Sequence, residues 1–519
     1  MATQDDPASE LPRLRVTFGF QDDTPFLKND DDVAEFFDVK FCPYQPLNCD
    51  PIFAAVSKKH VVLCRIVQAS GETNPCEIIG VIRDEDVEAS ACCCTWTKDP
   101  VSERPLICIG GVDAKVKIYD VLEGKLFRCF SGHGSDVNDL ATSPADPSII
   151  ASASDDTSVR IWSIDPKHQE RPCLCILAGE GHSSTLLSVA FHDTGRFILS
   201  GGHDQIVSLW TLPDLPTEPI TVPLRVHYPH FSTSAVHSGI VDCVAFYGDL
   251  ILSRACHDNV IALWRIEGFS SEGPPPSETI APTPQTVVPN SHQNTQGGVS
   301  TKHDTARLTR SAFVPTVSPQ CPAQYTRILN FQTPNCGVQF FMRFKLHFVP
   351  NQHPVLAFCN AGGNIFFWDF KRLSIYSEFI KKLRDHDPAH DLPRRPSWLR
   401  VIQHRQRDGG GKARHPLVEK DSPAPSQTGD ECKKREEAKE FSAETLESWA
   451  DKYSMDNPHK ALQPHKIEFS AANFVGRQAA WSPGGEWCVV VGSDNQAMVL
   501  QRWGKTKPPT KQQKPVGVK

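Results

Sequence analysis

The sequence lacks the short motifs that mark common enzyme classes. It has no G-x-x-x-x-G-K-[ST] phosphate loop, no G-x-S-x-G nucleophile elbow and no H-E-x-x-H zinc helix. No apolar run approaches the roughly 18 residues that span a bilayer, and residues 1–11 lack the apolar stretch of a secretory signal. We therefore expect a soluble intracellular protein that does not bind to membranes, is not an enzyme, and has no cofactor, catalytic residues or metal site.

Cysteine is abundant but is not arranged for zinc or for a disulfide framework. The 18 cysteines among 519 residues include the run Cys92-Cys93-Cys94 and no C-x-x-C pair, which is typical of reduced thiols. Excess positive charge is also missing, because 54 Lys and Arg stand against 61 Asp and Glu, a net charge of −7. This balance argues against a protein whose whole surface binds the phosphate backbone of a nucleic acid. We expect a cationic partner and no direct sequence-specific DNA binding.

The chain does contain a repeated unit. Residues 133–164, 182–212 and 237–266 each begin with His, continue with alternating apolar residues, and end with an Asp-containing turn and a strand that carries Trp. Weaker copies occupy residues 37–66, 94–120, 339–370 and 476–503. The first five copies recur near the roughly 40 to 45 residues of a WD-repeat blade. The last two follow insertions.

The repeats predict an all-β, seven-bladed WD-repeat propeller with two long, largely disordered insertions between blades. The insertions are rich in Pro, polar or charged residues and poor in large apolar ones. We expect residues 14–20 to close the ring as the outer strand of blade 7, and one helix near residues 443–453. The predicted divisions are a disordered N-terminus (1–13), blades 1–5 (14–267), a disordered insertion (268–335), blade 6 (336–384), a charged insertion (385–470), blade 7 (471–504) and a basic tail (505–519). The tail is interpreted as a solvated end or as a localisation or nucleic-acid signal.

A histidine, an aspartate and a tryptophan recur in the three clearest repeats. The sets are His133, Asp156 and Trp162; His182, Asp204 and Trp210; and His237, Asp258 and Trp264. A His–Asp pair could be catalytic, but a catalytic site is needed only once. Recurrence at equivalent positions therefore favours a buried hydrogen-bond network within each blade.

Three phenylalanines are candidates for a binding surface. Phe37 follows an acidic segment that contains Asp30, Asp31, Asp32 and Glu35, while Phe340 and Phe341 are expected to open a strand of blade 6. Phenylalanines at strand starts are usually core, and adjacent strand residues point to opposite sides. At the end of a strand one ring could still reach the rim of the central opening. Beside acidic side chains it would attract a methylated ammonium through a cation–π contact of about 0.5 to 2 kcal/mol.

Several short sequence segments resemble those of the EED and extra sex combs family of Polycomb group proteins. They are Val241 to Val244 with Gly248 to Ser253, Met342-Arg343-Phe344, Cys94-Thr95-Trp96-Thr97, and Gly132-His133-Gly134 followed by Asn138. The resemblance covers about residues 14–266, 336–370 and 475–503 and leaves the long insertions out. It implies a nuclear, non-catalytic subunit that joins a SET-domain histone methyltransferase and other Polycomb subunits in gene silencing. It also implies a reader of trimethyl-lysine on histone tails that stimulates the methyltransferase.

The resemblance also implies site residues. The aromatic cage of the family falls on Phe37, Phe340 and Phe341, and one cage tyrosine falls on Cys92. Peptide-contacting positions fall on Arg343, Asn138 and Asp242. A thiol has no π face, so either another aromatic residue completes the cage, or the peptide binds more weakly, or this protein keeps only a scaffolding role. The alternative function is a generic WD-repeat adaptor, for example of a ubiquitin ligase, without methyl-lysine reading.

Overall fold

A computed structural model describes residues 10–19, 35–67, 74–84, 86, 89–283, 309–314, 324–386, 392–402, 441–469 and 474–503. Within these ranges, no helix is long and apolar enough to cross a membrane. The same ranges hold no group of three or more His, Cys, Asp or Glu side chains placed to bind a metal ion.

Seven antiparallel sheets form the blades of a ring, each with its first strand at the centre and its last at the periphery. Blades 1 and 2 consist of Phe36–Phe41, Ile52–Ser57, His60–Ile66 and Cys76–Arg83, and of Ala91–Lys98, Pro105–Gly111, Lys115–Asp120 and Lys125–Ser131. Blade 3 consists of Val137–Thr142, Ile149–Ser154, Val159–Ser163 and Cys173–Leu177, with Leu224–Val226 added in parallel. Blade 4 consists of Leu186–Phe191, Phe197–Gly202, Val207–Thr211 and Phe231–Thr233, with Thr309–Ser311 added.

The remaining blades complete the ring. Blade 5 consists of Val241–Tyr247, Leu250–Ala255, Val260–Ile266 and Tyr325–Gln332, with Ala461–Leu462 added in parallel. Blade 6 consists of Lys345–His347, Val355–Cys359, Asn364–Asp369 and Lys466–Phe469, and blade 7 of Gly476–Trp481, Trp487–Gly492, Gln496–Gln501 and Arg13–Gly19. The prediction of a seven-bladed propeller is confirmed.

Blade 7 combines the first and the last described strands of the chain. Arg13–Gly19 pairs antiparallel with Gln496–Gln501, with Leu14 opposite Leu500 and Thr17 opposite Met498. The N-terminal strand thus covers the edge that Gln496–Gln501 would otherwise expose.

The boundaries of the two insertions differ from the expected ones. Tyr325–Gln332 and Lys466–Phe469 lie inside the spans 268–335 and 385–470, yet they are the fourth strands of blades 5 and 6. Each insertion therefore lies between the third and fourth strands of one blade, and not between two blades. A short strand cut off from its repeat by long polar sequence carries too weak a pattern to be assigned, and only its pairing identifies it. Residues 284–308, 315–323, 387–391, 403–440 and 470, the N-terminal residues 1–9 and the tail lie outside the described residues.

Two helices pack beside blade 6. Helix α1 (Phe370–Arg384) begins at Asp369, whose side chain accepts hydrogen bonds from the first-turn amides, and its last turn carries three basic residues that suit the negative helix end. Helix α2 (Ala443–Tyr453) begins at Ser442. Trp449 and Tyr453 of α2 join one buried cluster with residues of α1 and of blades 5 and 6. Short 3-10 helices span Pro166–His168 and Glu278–Ile280.

Candidate functional site

The inner strands of six blades contain a one-residue bulge at their first end. The extra residues are Phe37, Cys92, Asn138, Leu187, Asp242 and Arg477. A bulge leaves its extra residue unpaired and redirects the side chain. Phe37, Cys92 and Arg477 are half-buried and the other three are buried. The partly accessible ones belong to the consecutive blades 7, 1 and 2.

Phe340 and Phe341 lie just before the inner strand of blade 6. Phe341 has a φ of +56°, which is rare for a bulky residue. The two ring centroids are 5.2 Å apart. The expectation that the rings point to opposite sides of a strand is therefore wrong, because regular strand geometry starts only at Lys345 and the left-handed backbone at Phe341 breaks the alternation. We call Phe37, Cys92, Phe340, Phe341 and Arg477 the mouth.

Each ring of the phenylalanine pair has another neighbour. The imidazole of His203, an exposed residue in a turn of blade 4, meets Phe340 edge-on at 5.7 Å. The guanidinium carbon of Arg343 lies 5.6 Å from the centroid of Phe341. Phe340 remains 38% exposed. His203 was not among the predicted site residues, although its neighbour Asp204 was assigned to the hydrogen-bond network of the blade.

Arg477 connects the aromatic pair to blade 1. Its Nη1 donates to the carbonyl oxygen of Phe340 at 2.9 Å, and its Nε donates to Glu35 Oε1 at 2.5 Å. Glu35 precedes Phe37 by two residues. One arginine of blade 7 therefore ties the aromatic residues of blades 6 and 1 together. Arg477 was not among the predicted site residues, and only its bulged position on the inner strand distinguishes it.

Arg343 points into the centre of the ring and is buried. Its guanidinium donates to Asp139 Oδ1 at 2.8 Å and to the carbonyl oxygens of Asn138 and Leu187 at 2.8 and 2.9 Å. Burial alone would lower the pKa of Arg343, but Asp139 and Asp38 raise it above its ordinary value. The side chain is a permanent cation that joins blade 6 to blades 3 and 4.

Aspartates on the inner strands also bond adjacent blades together. Asp38 Oδ2 accepts the backbone N–H of Cys94 in blade 2, and Asp139 Oδ2 accepts that of Val189 in blade 4, both at 2.9 Å. Lys40 lies between these carboxylates; burial would lower its pKa, but Asp38 and Asp139 raise it. The centre of the ring is thus a charged, hydrogen-bonded network beneath the mouth.

The other two expected peptide-contacting residues are also turned inward. Asn138 is buried, and its Nδ2 donates to Asp155 Oδ1 and to the carbonyl oxygen of Leu186. Asp242 is fully buried, forms an ion pair with Arg254 and accepts the N–H of Met342 at 3.2 Å. All three side chains, Arg343, Asn138 and Asp242, are thus buried and bonded within the ring. Peptide contact at these residues stays a prediction.

Cys92 occupies the bulge of blade 2. Its thiol donates to the carbonyl oxygen of Val137 at 3.2 Å. It is half-buried and supplies no ring to the mouth.

The histidine, aspartate and tryptophan sets form the same relay in three blades. In blade 3, Trp162 Nε1 donates to Ser152 Oγ at 2.7 Å, Ser152 Oγ lies 2.6 Å from His133 Nε2, and His133 Nδ1 lies 2.8 Å from Asp156. The equivalent sets are His182, Asp204, Trp210 with Ser200, and His237, Asp258, Trp264 with Ser253. The serines were missed, although each stands ten or eleven residues before its tryptophan. These buried relays link strands of one blade.

The glycine before the histidine is required for close packing. A Cβ at Gly181 would lie 2.1 Å from Trp210 Cζ2.

Comparisons with known proteins agree with this architecture. The family model described as WD domain, G-beta repeat matches residues 124–163 and 172–211. Polycomb protein EED of Chaetomium thermophilum is 46% identical over 98% of this chain and 98% of its own length. Polycomb protein esc of Drosophila melanogaster is 28% identical over 45% of this chain and 56% of its own length.

Solved structures give the same answer. The crystal structure of the Chaetomium thermophilum polycomb repressive complex 2 contains a chain that is 48% identical, with a TM-score of 0.81 and coverage of 96% of this chain and 100% of that chain. A structure of ctPRC2 in complex with H3K27me3 and H3K27M contains a similar chain, with 48% identity, a TM-score of 0.81 and coverage of 97% and 100%. The chain belongs to the EED family of Polycomb proteins.

Proposed function

We propose that this chain is a nuclear, non-catalytic WD-repeat subunit of a polycomb repressive complex 2, and that its mouth binds the trimethyl-lysine side chain of a histone tail. Membership of the EED family supports the first part. A similar chain in a structure that contains H3K27me3 supports the second. The observation that carries the proposal is the set of accessible rings on blades 1 and 6 joined through Arg477.

The chemistry of the mouth suits a methylated ammonium. A trimethylammonium group has no N–H to donate, so it is bound by π faces and apolar contact, at about 0.5 to 2 kcal/mol per ring. Phe340 and Phe341 offer adjacent faces, and Arg343 already covers one side of Phe341. The positive charges of Arg477 and Arg343 are offset by Glu35 and Asp139.

We propose that His203 supplies the ring that Cys92 lacks. Its imidazole contacts Phe340 edge-on and is exposed. Three phenylalanines attract a cation less strongly than tryptophan, so the site should bind weakly but selectively.

Calorimetric titration of the full chain tests the reader function. We expect an H3K27me3 peptide to bind and the unmodified peptide of the same sequence to bind at least about tenfold more weakly, a difference of about 1.4 kcal/mol. Equal binding of both peptides would contradict methyl-lysine recognition.

We also propose that occupation of the mouth stimulates a SET-domain methyltransferase subunit in the same complex. The assay is methyl transfer by the reconstituted complex with and without added trimethylated peptide. Stimulation that survives in a complex carrying Phe341→Ala would show that the mouth is not the stimulatory site.

A further inference from the structure

A cavity of about 950 Å³ lies on the outer side of blade 6. Its walls are the residues just before the closing strand of blade 7, the outer strand of blade 6, helix α2 and the segment around residues 397–400. The lining residues are Glu10, Leu11, Arg13, Arg372, Ser397, Trp398, Arg400, Ser448, Trp449, Lys452, Tyr453, His465, Lys466, Ile467, Glu468 and Trp503. The volume is that of a small-molecule site. None of these residues belongs to the mouth.

The wall is cationic although the whole chain is acidic. Five Lys or Arg and only two Glu line the cavity. Both carboxylates already have partners, since Glu468 pairs with Lys466 at 2.8 Å and Glu10 with Arg13 at 3.8 Å. Within the described residues, no acidic side chain forms an ion pair with Arg400 or Lys452. The cavity therefore has cationic groups available for an anion.

His465, in the cavity wall, lies in this positive field. Burial lowers its pKa well below the ordinary value, and the cations of Arg372 and Lys452 lower it further. Its Nδ1 accepts the N–H of Asp369 at 2.9 Å and its Nε2 lies 3.0 Å from the carbonyl oxygen of Lys452. A neutral imidazole therefore lies beside the cations of the wall.

Aromatic rings make up much of the remaining wall. Trp398 is half-buried. Its ring centroid lies 4.8 Å from the ring centroid of Tyr453, and the guanidinium carbon of Arg372 lies 5.3 Å from the Trp398 centroid. Trp449 Nε1 donates to the carbonyl oxygen of Arg400 at 2.8 Å, which fixes the backbone of that residue. The cavity thus combines a partly exposed planar ring with an immobilised arginine position.

We propose that this cavity binds a nucleoside phosphate, with the base against Trp398 and the phosphate at Arg400 and Lys452. The surplus of cations disfavours a methylated lysine, and the polar wall disfavours a purely apolar ligand. Base stacking on aromatic side chains beside cations is how proteins bind unpaired nucleotides. The ligand could be a free nucleotide or one nucleotide of a single strand, and these sources share the same chemistry.

The test is fluorescence-detected titration of the full chain with AMP, adenosine, inorganic phosphate and a short single-stranded oligoadenylate. We expect saturable binding of AMP or the oligonucleotide, with adenosine and phosphate each much weaker. Arg400→Ala should weaken the binding by about tenfold, as expected for the loss of a charge-assisted contact. The matched control is Arg225→Ala, an exposed arginine on the outer edge of blade 3. Melting temperatures of both variants should equal that of the unmodified protein.

The two sources give different outcomes. Comparable affinity for AMP and the oligonucleotide identifies a free nucleotide, whereas binding only of the oligonucleotide, still sensitive to Arg400→Ala, identifies a strand. The proposal would be overturned if neither AMP nor the oligonucleotide bound saturably, or if Arg400→Ala and Arg225→Ala weakened binding equally. Binding of an acidic phosphopeptide in place of both probes would also overturn it. The result is independent of methyl-lysine binding at the mouth.

Discussion

Arg343 of blade 6 donates to Asp139 of blade 3 at 2.8 Å, although 204 residues separate them in the chain. The pair joins blades that are not neighbours in the ring. Because the same guanidinium contacts the Phe341 ring, the centre of the propeller and the floor of the mouth are one structure. Stability of the ring and geometry of the mouth are therefore coupled.

The ring of Phe341 should matter for binding more than for folding. We expect Phe341→Ala to weaken trimethyl-peptide binding by about 1 kcal/mol or more, because a cation–π contact is lost, and to leave the melting temperature nearly intact. Calorimetry and thermal unfolding measure the two effects. The control is Phe469→Ala, which removes an exposed ring from the outer strand of blade 6; equal weakening by both variants would contradict a specific role.

The backbone at Phe341 should be strained. Its φ of +56° suits glycine. The free energy of unfolding of the Phe341→Gly variant should therefore exceed that of the Phe341→Ala variant by about 1 kcal/mol. Denaturant titration of the two variants measures the difference. At an ordinary position Gly is the less stable of the two, so an Ala variant equal to or more stable than the Gly variant would show that the left-handed conformation is absent.

Removal of Arg343 should destabilise the ring strongly. Arg343→Ala leaves the Asp139 carboxylate buried without its ion-pair partner, and such losses cost about 3 to 5 kcal/mol. The control is Arg65→Ala, since Arg65 pairs with Glu77 at the surface and exposed pairs contribute at most about 1 kcal/mol. Chemical denaturation provides both values, and similar small losses would refute a stabilising role for the central network.

The serine of each relay should contribute to stability in the same way. Ser200→Ala removes the group that accepts the Trp210 N–H and contacts His182 Nε2, leaving buried polar atoms unpaired at a cost of about 1 to 3 kcal/mol. Ser131→Ala, at an exposed position in blade 2, should change the free energy of unfolding by less than about 0.5 kcal/mol. Indistinguishable variants would show that the relay is dispensable.

Acid should reduce the free energy of unfolding over two pH ranges. Burial lowers the pKa values of His133 and His237 despite their aspartate partners, so the unfolded chain binds more protons and stability falls as pH drops through about 6.5, the unfolded value. Burial alone would raise the pKa values of Asp156 and Asp258, but hydrogen bonds from these histidines lower them. Their contribution is complete above about pH 3.9 and is lost as pH falls below it.

Unfolding free energies measured between pH 8 and pH 3 check this sign. Stability that rises on acidification from pH 7 to pH 5 would be inconsistent with neutral, buried histidines in the relays.

The repeats were predictable because each blade carries a complete local pattern. Alternating apolar strands recur in all seven units, and the His start and strand tryptophan recur in the three clearest ones, at about the spacing of WD-repeat blades, so the number of blades followed from counting them. The fourth strands of blades 5 and 6 were not predictable, since Tyr325–Gln332 and Lys466–Phe469 are separated from their repeats by long insertions. Pairing between strands, not propensity, defines them.

The mouth was predictable in part. The family resemblance pointed to Phe37, Phe340 and Phe341 and to peptide contacts at Arg343, Asn138 and Asp242, which stay predictions, and it gave no sign that the last three side chains are buried. Arg477 and His203 carry no sequence signal of their own. Arg477 reaches Phe340 because blade 7 adjoins blade 6, whereas His203 meets the Phe340 ring from the more distant blade 4.

By itself the sequence determined the seven-fold repetition and the histidine, aspartate and tryptophan of each relay, because these lie within one repeat. Only the tertiary structure decided which charges are exposed and which are paired. Closing the ring brings side chains from distant blades into one enclosed centre, where a buried charge needs a partner. Which partner it finds depends on the residues that the other blades place at the centre.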